Sequence, residues 1–514
     1  MGQIEDFKKQ LIKGNDTSGE FITLGAALFE NEPQKDVQIK LPLRTLNRHG
    51  LIAGATGTGK TLTLQVIAEN MCNAGIPVLL MDLKGDLSGI SKAGVINPKI
   101  EERHNLIGID FNPIGITTEF LSLSKENGVR LRATVSEFGP VLFSKILDLN
   151  DTQSGIVAVL FKYADDKKLP LLDLKDFKQL LQFSTDGGKL EIQKQYGNIP
   201  TSSTSIILRK IIELESQGAE LFFGEKSFEV SDLVRKDSSG KGIASVIRLT
   251  DIQDKPKLFS TFMLSLLAEV YASFPEAGDL EKPKLCIFID EAHIIFNEAS
   301  KALLDQIESI IKLIRSKGVG IFFITQNPYD IPDSVLSQLG LKVQHALRAF
   351  TEKDRKAIKK TAENYPISEF YKTDELLTSL GIGQALVTAL NEKGIPTPLA
   401  AVHLRAPSSR IGILSSEEIL ENVNASSLAL KYSEVIDRES AYEILNDKIN
   451  STADEEKSAD KPKTKQKEEK TVLEKASENT MVRQIGRTVM KEVARGLLGV
   501  LGLGGTNKKK KGWF

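Results

Sequence analysis

Residues 51–61, LIAGATGTGKT, constrain the fold of this chain more than any other stretch. A short apolar run leads into Gly54-Ala55-Thr56-Gly57-Thr58-Gly59-Lys60-Thr61, and an amphipathic helix is predicted from Leu62 to about Asn73. Glycines, lysine and threonine at this spacing, between a strand and a helix, form a P-loop pattern. The pattern suits a triphosphate. Backbone N–H groups turn inward around the phosphate oxygens, glycines allow the tight curl, and the helix N-terminus adds partial positive charge. Lys60 is expected to reach the β/γ-phosphates and the Thr61 hydroxyl to ligate Mg²⁺. ATP with Mg²⁺ is thus the expected cofactor pair.

At 514 residues the chain is long enough for two or three domains. A composition of 41% hydrophobic and 26% charged residues is that of a soluble globular protein. The net charge of −1 excludes a polycation, so any nucleic-acid binding needs local positive potential or potential built by assembly. Cys72 and Cys286 lack metal-ligating neighbours, and a disulfide is not expected. MGQIEDFKKQ has no apolar signal core, does not fit myristoylation, and no apolar run reaches 18 residues. The expectation is a cytoplasmic protein with no transmembrane segment.

Read in order, residues 1–45 form a small N-terminal β segment. A polar helix (4–13) precedes the runs EFITLGAALF and DVQIKLPL, which are expected to pair antiparallel beside the main domain. Residues 46–99 are the first part of a P-loop core, and IPVLLMDL (76–83) reads as a parallel strand covered on both faces. That strand ends in Asp82-Leu83-Lys84-Gly85-Asp86, where ligands sit in open α/β sheets. Residues 100–240 read as a mostly helical insertion, and 241–410 as the second part of the core. Within the latter, IGQALVTAL (382–390) and TPLAAVHL (397–404) look like strands of an edge hairpin, and VQHALRA (343–349) like a strand carrying Arg348. A C-terminal helical extension follows at 411–450 and a charge-mixed, disordered linker at 451–471. Residues 472–514 hold an amphipathic helix, with Val482, Ile485, Val489, Val493 and Leu497 on one face, and Lys508–Lys511. Self-docking or oligomer contact, a phosphate backbone, and membrane lipid all suit that tail.

KLCIFIDEAHIIF (284–296) is the second decisive stretch. Its buried strand delivers Asp290 and Glu291 to a carboxyl-terminal tip. Beside a P-loop, Asp290 would hold the Mg²⁺ shell through water, and Glu291 would polarise the attacking water as general base. The plainer alternative is a helix N-terminus that favours acids. His293 reads as a packing or coupling residue. The strand VGIFFITQNP (319–328) ends in Thr325-Gln326, placed to sense a γ-phosphate or simply to cap the Asn-Pro turn. Apolar strands alternating with helices predict an α/β fold with a mainly parallel sheet.

Taken together, NRHGLIAGATGTGKT (47–61), LKGDLSG (83–89), FIDEAHIIF (288–296), LIRSKGVGIFFITQNPYDIPDSVLSQLG (313–340) and HALRAFTEKD (345–354) resemble the bacterial HerA-like helicase family. The likeness is to its compact branch, long described as a domain of unknown function, and spans about residues 20–410. It implies a RecA-like core of the FtsK–HerA type, ATP hydrolysis at subunit interfaces, and a homo-oligomer, usually a hexameric ring around duplex DNA. By position, Lys60, Thr61, Asp290, Glu291 and Gln326 match nucleotide-binding and sensor positions. Arg315 matches an arginine finger inserted by a neighbouring subunit, and Arg48 a basic residue that contacts nucleotide. HerA proper begins with a β-barrel that contacts a nuclease; only some 45 residues precede the P-loop here, a departure from the family pattern that leaves a nuclease partner doubtful. The leading functional expectation is an ATP-driven DNA translocase or helicase. The alternatives are an ATPase that moves or remodels protein and a slow nucleotide-gated scaffold.

Overall fold

The computed structural model describes residues 2–458 apart from 279, 299, 300, 435 and 437. The linker and tail expected at 451–514 therefore fall almost wholly outside the described residues. Two compact units divide the chain. The first comprises Met1–Ala133, Glu213–Leu264 and Glu276–Asp437. It carries a sheet of twelve strands: β1 (Phe21–Phe29), β2 (Glu32–Pro42), β3 (Gly50–Ala53), β4 (Val78–Asp82), β5 (Thr118–Ser122), β6 (Val129–Arg130), β7 (Ala244–Arg248), β8 (Leu285–Ile289), β9 (Val319–Thr325), β10 (Leu341–His345), β11 (Gln384–Thr388) and β12 (Ala400–Leu404). Their order is β2-β1-β12-β11-β10-β3-β9-β8-β4-β7-β5-β6.

From β10 to β6 every neighbouring pair is parallel. Strands β3, β4, β8 and β9 are buried along their whole length. Near-continuous apolar sequence is what a parallel strand covered on both faces requires. Phe288 of β8 and Phe322 of β9 stack at 4.7 Å between ring centroids, and free Cys72 and Cys286 are buried in the same core. Beyond β10 the sheet continues antiparallel through β11, β12, β1 and β2.

That continuation corrects two expectations. The N-terminal strands are not a separate pair, because β1 joins the main sheet through β12; the hairpin β11–β12 is accordingly interior rather than at an edge. Gly25 permits the join. A Cβ there would lie 2.0 Å from the His403 carbonyl oxygen. Arg348 also differs from expectation, since β10 ends at His345 and Arg348 is exposed beyond it.

The second unit comprises Thr134–Ile212, Ser265–Pro275 and the chain from Arg438. It is helical and narrower than the insertion read at 100–240, because residues 98–133 supply a helix, β5 and β6 to the first unit. Phe143, Phe161 and Phe177 cluster at its centre. Its helices begin at Thr134, Asn150 and Asp173, each closing a reciprocal capping box. The helix Ala441–Ser458 docks on Leu174–Phe183, where Asn446 accepts a hydrogen bond from Gln179 at 2.7 Å. Among the described residues no helix is long and apolar enough to cross a membrane.

Candidate nucleotide site

Strands β3, β9, β8 and β4 lie side by side and point the same way, so their carboxyl ends share one edge of the sheet. That edge receives the loop 54–59 from β3, Gln326 from β9, Asp290 and Glu291 from β8, and Asp82 to Asp86 from β4. Ligands in parallel α/β sheets bind at this edge. Gly54, Gly57 and Gly59 have φ of 151°, 78° and 111°, and Gly59 opens the helix Lys60–Asn73 from the left-handed region. Thr58 Oγ1 closes the loop on Ala55 O at 2.7 Å, and Ala55 N–H donates to Ala346 O at 2.9 Å. A Cβ on Gly54 would lie 2.5 Å from His345 Cβ, whereas nothing stands within 4 Å of one on Gly57. The loop is therefore packed beneath and open above. Gly54→Ala should destabilise the fold by more than about 1 kcal/mol, read as a lowered denaturant midpoint; an unchanged midpoint would show that the loop has room to shift.

Lys60 is buried, and its ammonium donates to Gly54 O at 2.8 Å and Ala55 O at 3.1 Å. Burial, then the Lys84 ammonium, pull its pKa below the usual lysine value, against the attraction of Glu291 and Asp290. The carboxylates opposite are shifted the other way. Burial pushes Asp290 up to about 6 and Asp82 up to about 7, with Asp86 adding to the rise at Asp82. Asp290 accepts from Glu291 N–H at 2.9 Å through one oxygen, while its other oxygen is buried without a partner. A divalent cation would relieve both that orphaned oxygen and the cost of the buried charge. Among the described residues no three His, Cys, Asp or Glu side chains could hold a metal by themselves. A magnesium ion here would instead complete its shell from water and phosphate oxygens, as that ion ordinarily does. These residues fit a magnesium–nucleotide.

Thr61 follows Lys60 in the first turn of the helix, and Asp86 lies near its hydroxyl. Thr56 Oγ1 lies 3.4 Å from Gln326 Oε1, which brings the β9 tip to the mouth of the loop. Thr325 is tied down by Asp330 at 2.6 Å. His345 is held neutral by burial, its pKa lowered to about 4, and shares a 2.9 Å hydrogen bond with Thr63. It supports the loop from below. Glu291 is buried with φ 47°, a left-handed conformation uncommon for glutamate and concentrated at functional sites. Lys84 pairs with it. Sequence reading marked the segment Asp82–Asp86 by its place at a strand tip but assigned Lys84 and Asp86 no roles, since nothing local announces contacts with residues so distant in the chain.

The two arginines stand elsewhere. Arg48 ends the turn that feeds β3, and Arg315 opens the turn that feeds β9. Both lie at the amino ends of the parallel strands, with β9 spanning roughly 20 Å between Arg315 and Gln326. Arg315 is exposed. Arg315 is thus too far to touch a nucleotide in this chain's own loop, while the Arg48 guanidinium lies against Gly394. His49 braces this edge: Nε2 donates to Ile311 O at 2.9 Å and Nδ1 accepts from Ile321 N–H at 3.0 Å.

Residues 28–509 match the family model described as Helicase HerA-like C-terminal. The "DNA double-strand break repair helicase HerA" of Saccharolobus solfataricus is 25% identical over 359 residues, 69% of this chain and 64% of that protein. The chain thus matches less than two thirds of that relative's length. The "DNA import protein CedB" of Sulfolobus acidocaldarius is 25% identical over 362 residues, 69% of this chain and 52% of that one. Among solved structures, the plasmid coupling protein TrwB with a non-hydrolysable ATP analogue superposes at a TM-score of 0.53, with 14% identity, over 79% of this chain and 94% of that one. TrwB with ADP and Mg²⁺ gives 0.51 at 14% identity, over 78% and 94%. At these identities the likeness is one of fold.

Proposed function

The chain belongs to the Helicase HerA-like C-terminal family, and we propose from that premise that it is an ATP-hydrolysing motor that translocates on DNA as a homo-oligomeric, hexameric ring. The observation that carries the ATPase reading is the convergence of buried Lys60, the half-satisfied Asp290 and the strained Glu291 on one open glycine loop. Lys60 would hold the β/γ-phosphates, Thr61 and, through water, Asp290 would hold magnesium, and Gln326 would sense the terminal phosphate. Bound Mg²⁺ neutralises charge on the phosphates. Glu291 accepts the proton of the attacking water. Arg48 and Arg315 serve the nucleotide of a neighbouring subunit.

What supports DNA as the substrate is a lysine-rich groove that the near-zero net charge does not announce. A groove of about 570 Å³ lies between the turn Pro328–Asp330 and the helix Glu352–Glu363. Lys353, Lys356 and Lys360 line it along one helix face opposite Asp333; Lys356 pairs with Glu352 at 2.8 Å, and Lys360 sits 4.9 Å over the Tyr329 ring. Tyr329 follows Gln326 by three residues, so the groove and the sensor share one short segment. Replacing the three lysines by alanine should reduce the salt-dependence slope of duplex binding by about 2–3, at roughly 0.9 per lost phosphate contact. ATP affinity should hold. The measurement is duplex affinity across a salt series, with ATP turnover measured with and without DNA. An unchanged slope would remove the groove from the DNA path. ATP turnover indifferent to duplex DNA in the wild type would favour a protein-moving motor instead.

A further inference from the structure

The Glu291 carboxylate is not free at the tip of β8. Its Oε1 pairs with Lys84 Nζ, while its Oε2 is buried without a hydrogen bond although His293 Nδ1 lies 3.1 Å away. The two partners of the Lys84 pair differ in freedom. Glu291 is buried, and its turn is pinned by Ala292 N–H donating to Ile324 O and Ile294 N–H to Glu291 O, each at 2.9 Å. The Lys84 side chain is 39% exposed and sits on a long, rotatable stem. If one of them moves, it is Lys84.

Lys84 also lies close enough to the loop lysine for their charges to interact. Its ammonium is the largest influence on Lys60 after burial, and its other charged neighbours are Asp290 and Asp86. Two cations beside one glycine loop repel each other until an anion arrives between them. A terminal phosphate would attract both, and in doing so would compete with Glu291 for Lys84. While paired to an ammonium, a carboxylate is a weaker base and is turned toward the cation instead of a water molecule.

We propose that Lys84 is a triphosphate-sensing latch on Glu291. Without a terminal phosphate it holds the carboxylate in an ion pair; a terminal phosphate draws Lys84 away and frees Glu291 to act as base. Hydrolysis then follows only capture of a triphosphate. In this scheme Lys84 binds the terminal phosphate and controls hydrolysis through Glu291, and the inference rests on the nucleotide-site reading of the loop.

The test is binding rather than turnover. Full-length wild type, Lys84→Met, Lys84→Arg, Glu291→Gln and the double variant Lys84→Met/Glu291→Gln are titrated with ADP and with a non-hydrolysable ATP analogue, each with Mg²⁺. Lys84→Met should lower the preference for the triphosphate over ADP about tenfold, the loss of one charge-assisted hydrogen bond; Lys84→Arg should largely restore it. Glu291→Gln should tighten the analogue several-fold by removing the competitor, and that gain should shrink when Lys84 is already Met. A static ion pair predicts otherwise. Equal preference in Lys84→Met and wild type, or an equal gain from Glu291→Gln in both backgrounds, overturns the latch while leaving the nucleotide site intact. Failure of the wild type to bind either nucleotide overturns the nucleotide-site reading and the latch with it.

Discussion

Glu291→Gln should bind ATP at least as well as the wild type while hydrolysing it roughly 10²–10⁴-fold more slowly. The substitution keeps the size of the side chain and its place at the β8 tip but removes the charge that accepts a proton. Asp290, its neighbour, remains to organise magnesium, and Lys60 remains in the loop 54–59. The two steps therefore separate. Single-turnover hydrolysis measures the loss, and a fluorescent-nucleotide titration checks that binding is retained. The strained backbone sharpens the expectation: a glutamate at φ 47° persists only where the surrounding fold holds it, and here the hydrogen bond from Ala292 to β9 does so. Hydrolysis at the wild-type rate would remove Glu291 as the base and leave the strain without a catalytic purpose.

The candidate nucleotide edge was legible in sequence because its residues are patterned locally. A glycine loop between strand and helix, and two acids ending an apolar strand, identify themselves within a dozen residues each. The α/β class followed from apolar strands alternating with helices. Strand order was another matter. That β1 lies against β12 depends on a glycine at 25 meeting the backbone of His403 and Leu404, a pairing across nearly 380 residues with no local signal. Lys84 escaped for a related reason. Lysines near strand ends are common, and only the fold reveals that this one reaches the acid delivered by a strand about 200 residues later. The helical unit begins at Thr134 rather than near 100 because TEFLS (118–122) is too short and too mixed in polarity to announce a strand, yet pairs with β7 in parallel.

Arg315 is expected to act in trans, and the largest loss of rate should come with it. It stands at the amino end of β9, a full strand length from the loop its own chain presents, and is exposed there. A cation so placed cannot stabilise charge on its own chain's nucleotide, but it is available to a neighbour packed against that edge. An arginine delivered to a transferring phosphoryl group contributes about 10³–10⁵ in rate, so Arg315→Ala should be nearly inactive in a steady-state ATPase assay. Lys60→Ala should be inactive for a different reason, since its loop loses its one fixed cation. The two defects fall on opposite sides of an interface. In a mixed assembly some interfaces join an intact loop to an intact arginine, so mixing the two dead variants should restore part of the activity. Light scattering must show that the subunits co-assemble. If they do and the mixture stays inactive, the trans assignment is lost; if Arg315→Ala alone retains full turnover, the residue is ordinary surface. Arg48 shares that edge; Arg48→Ala should likewise lose turnover and regain part of it when mixed with Lys60→Ala, which would put Arg48 on the same side of the interface as Arg315.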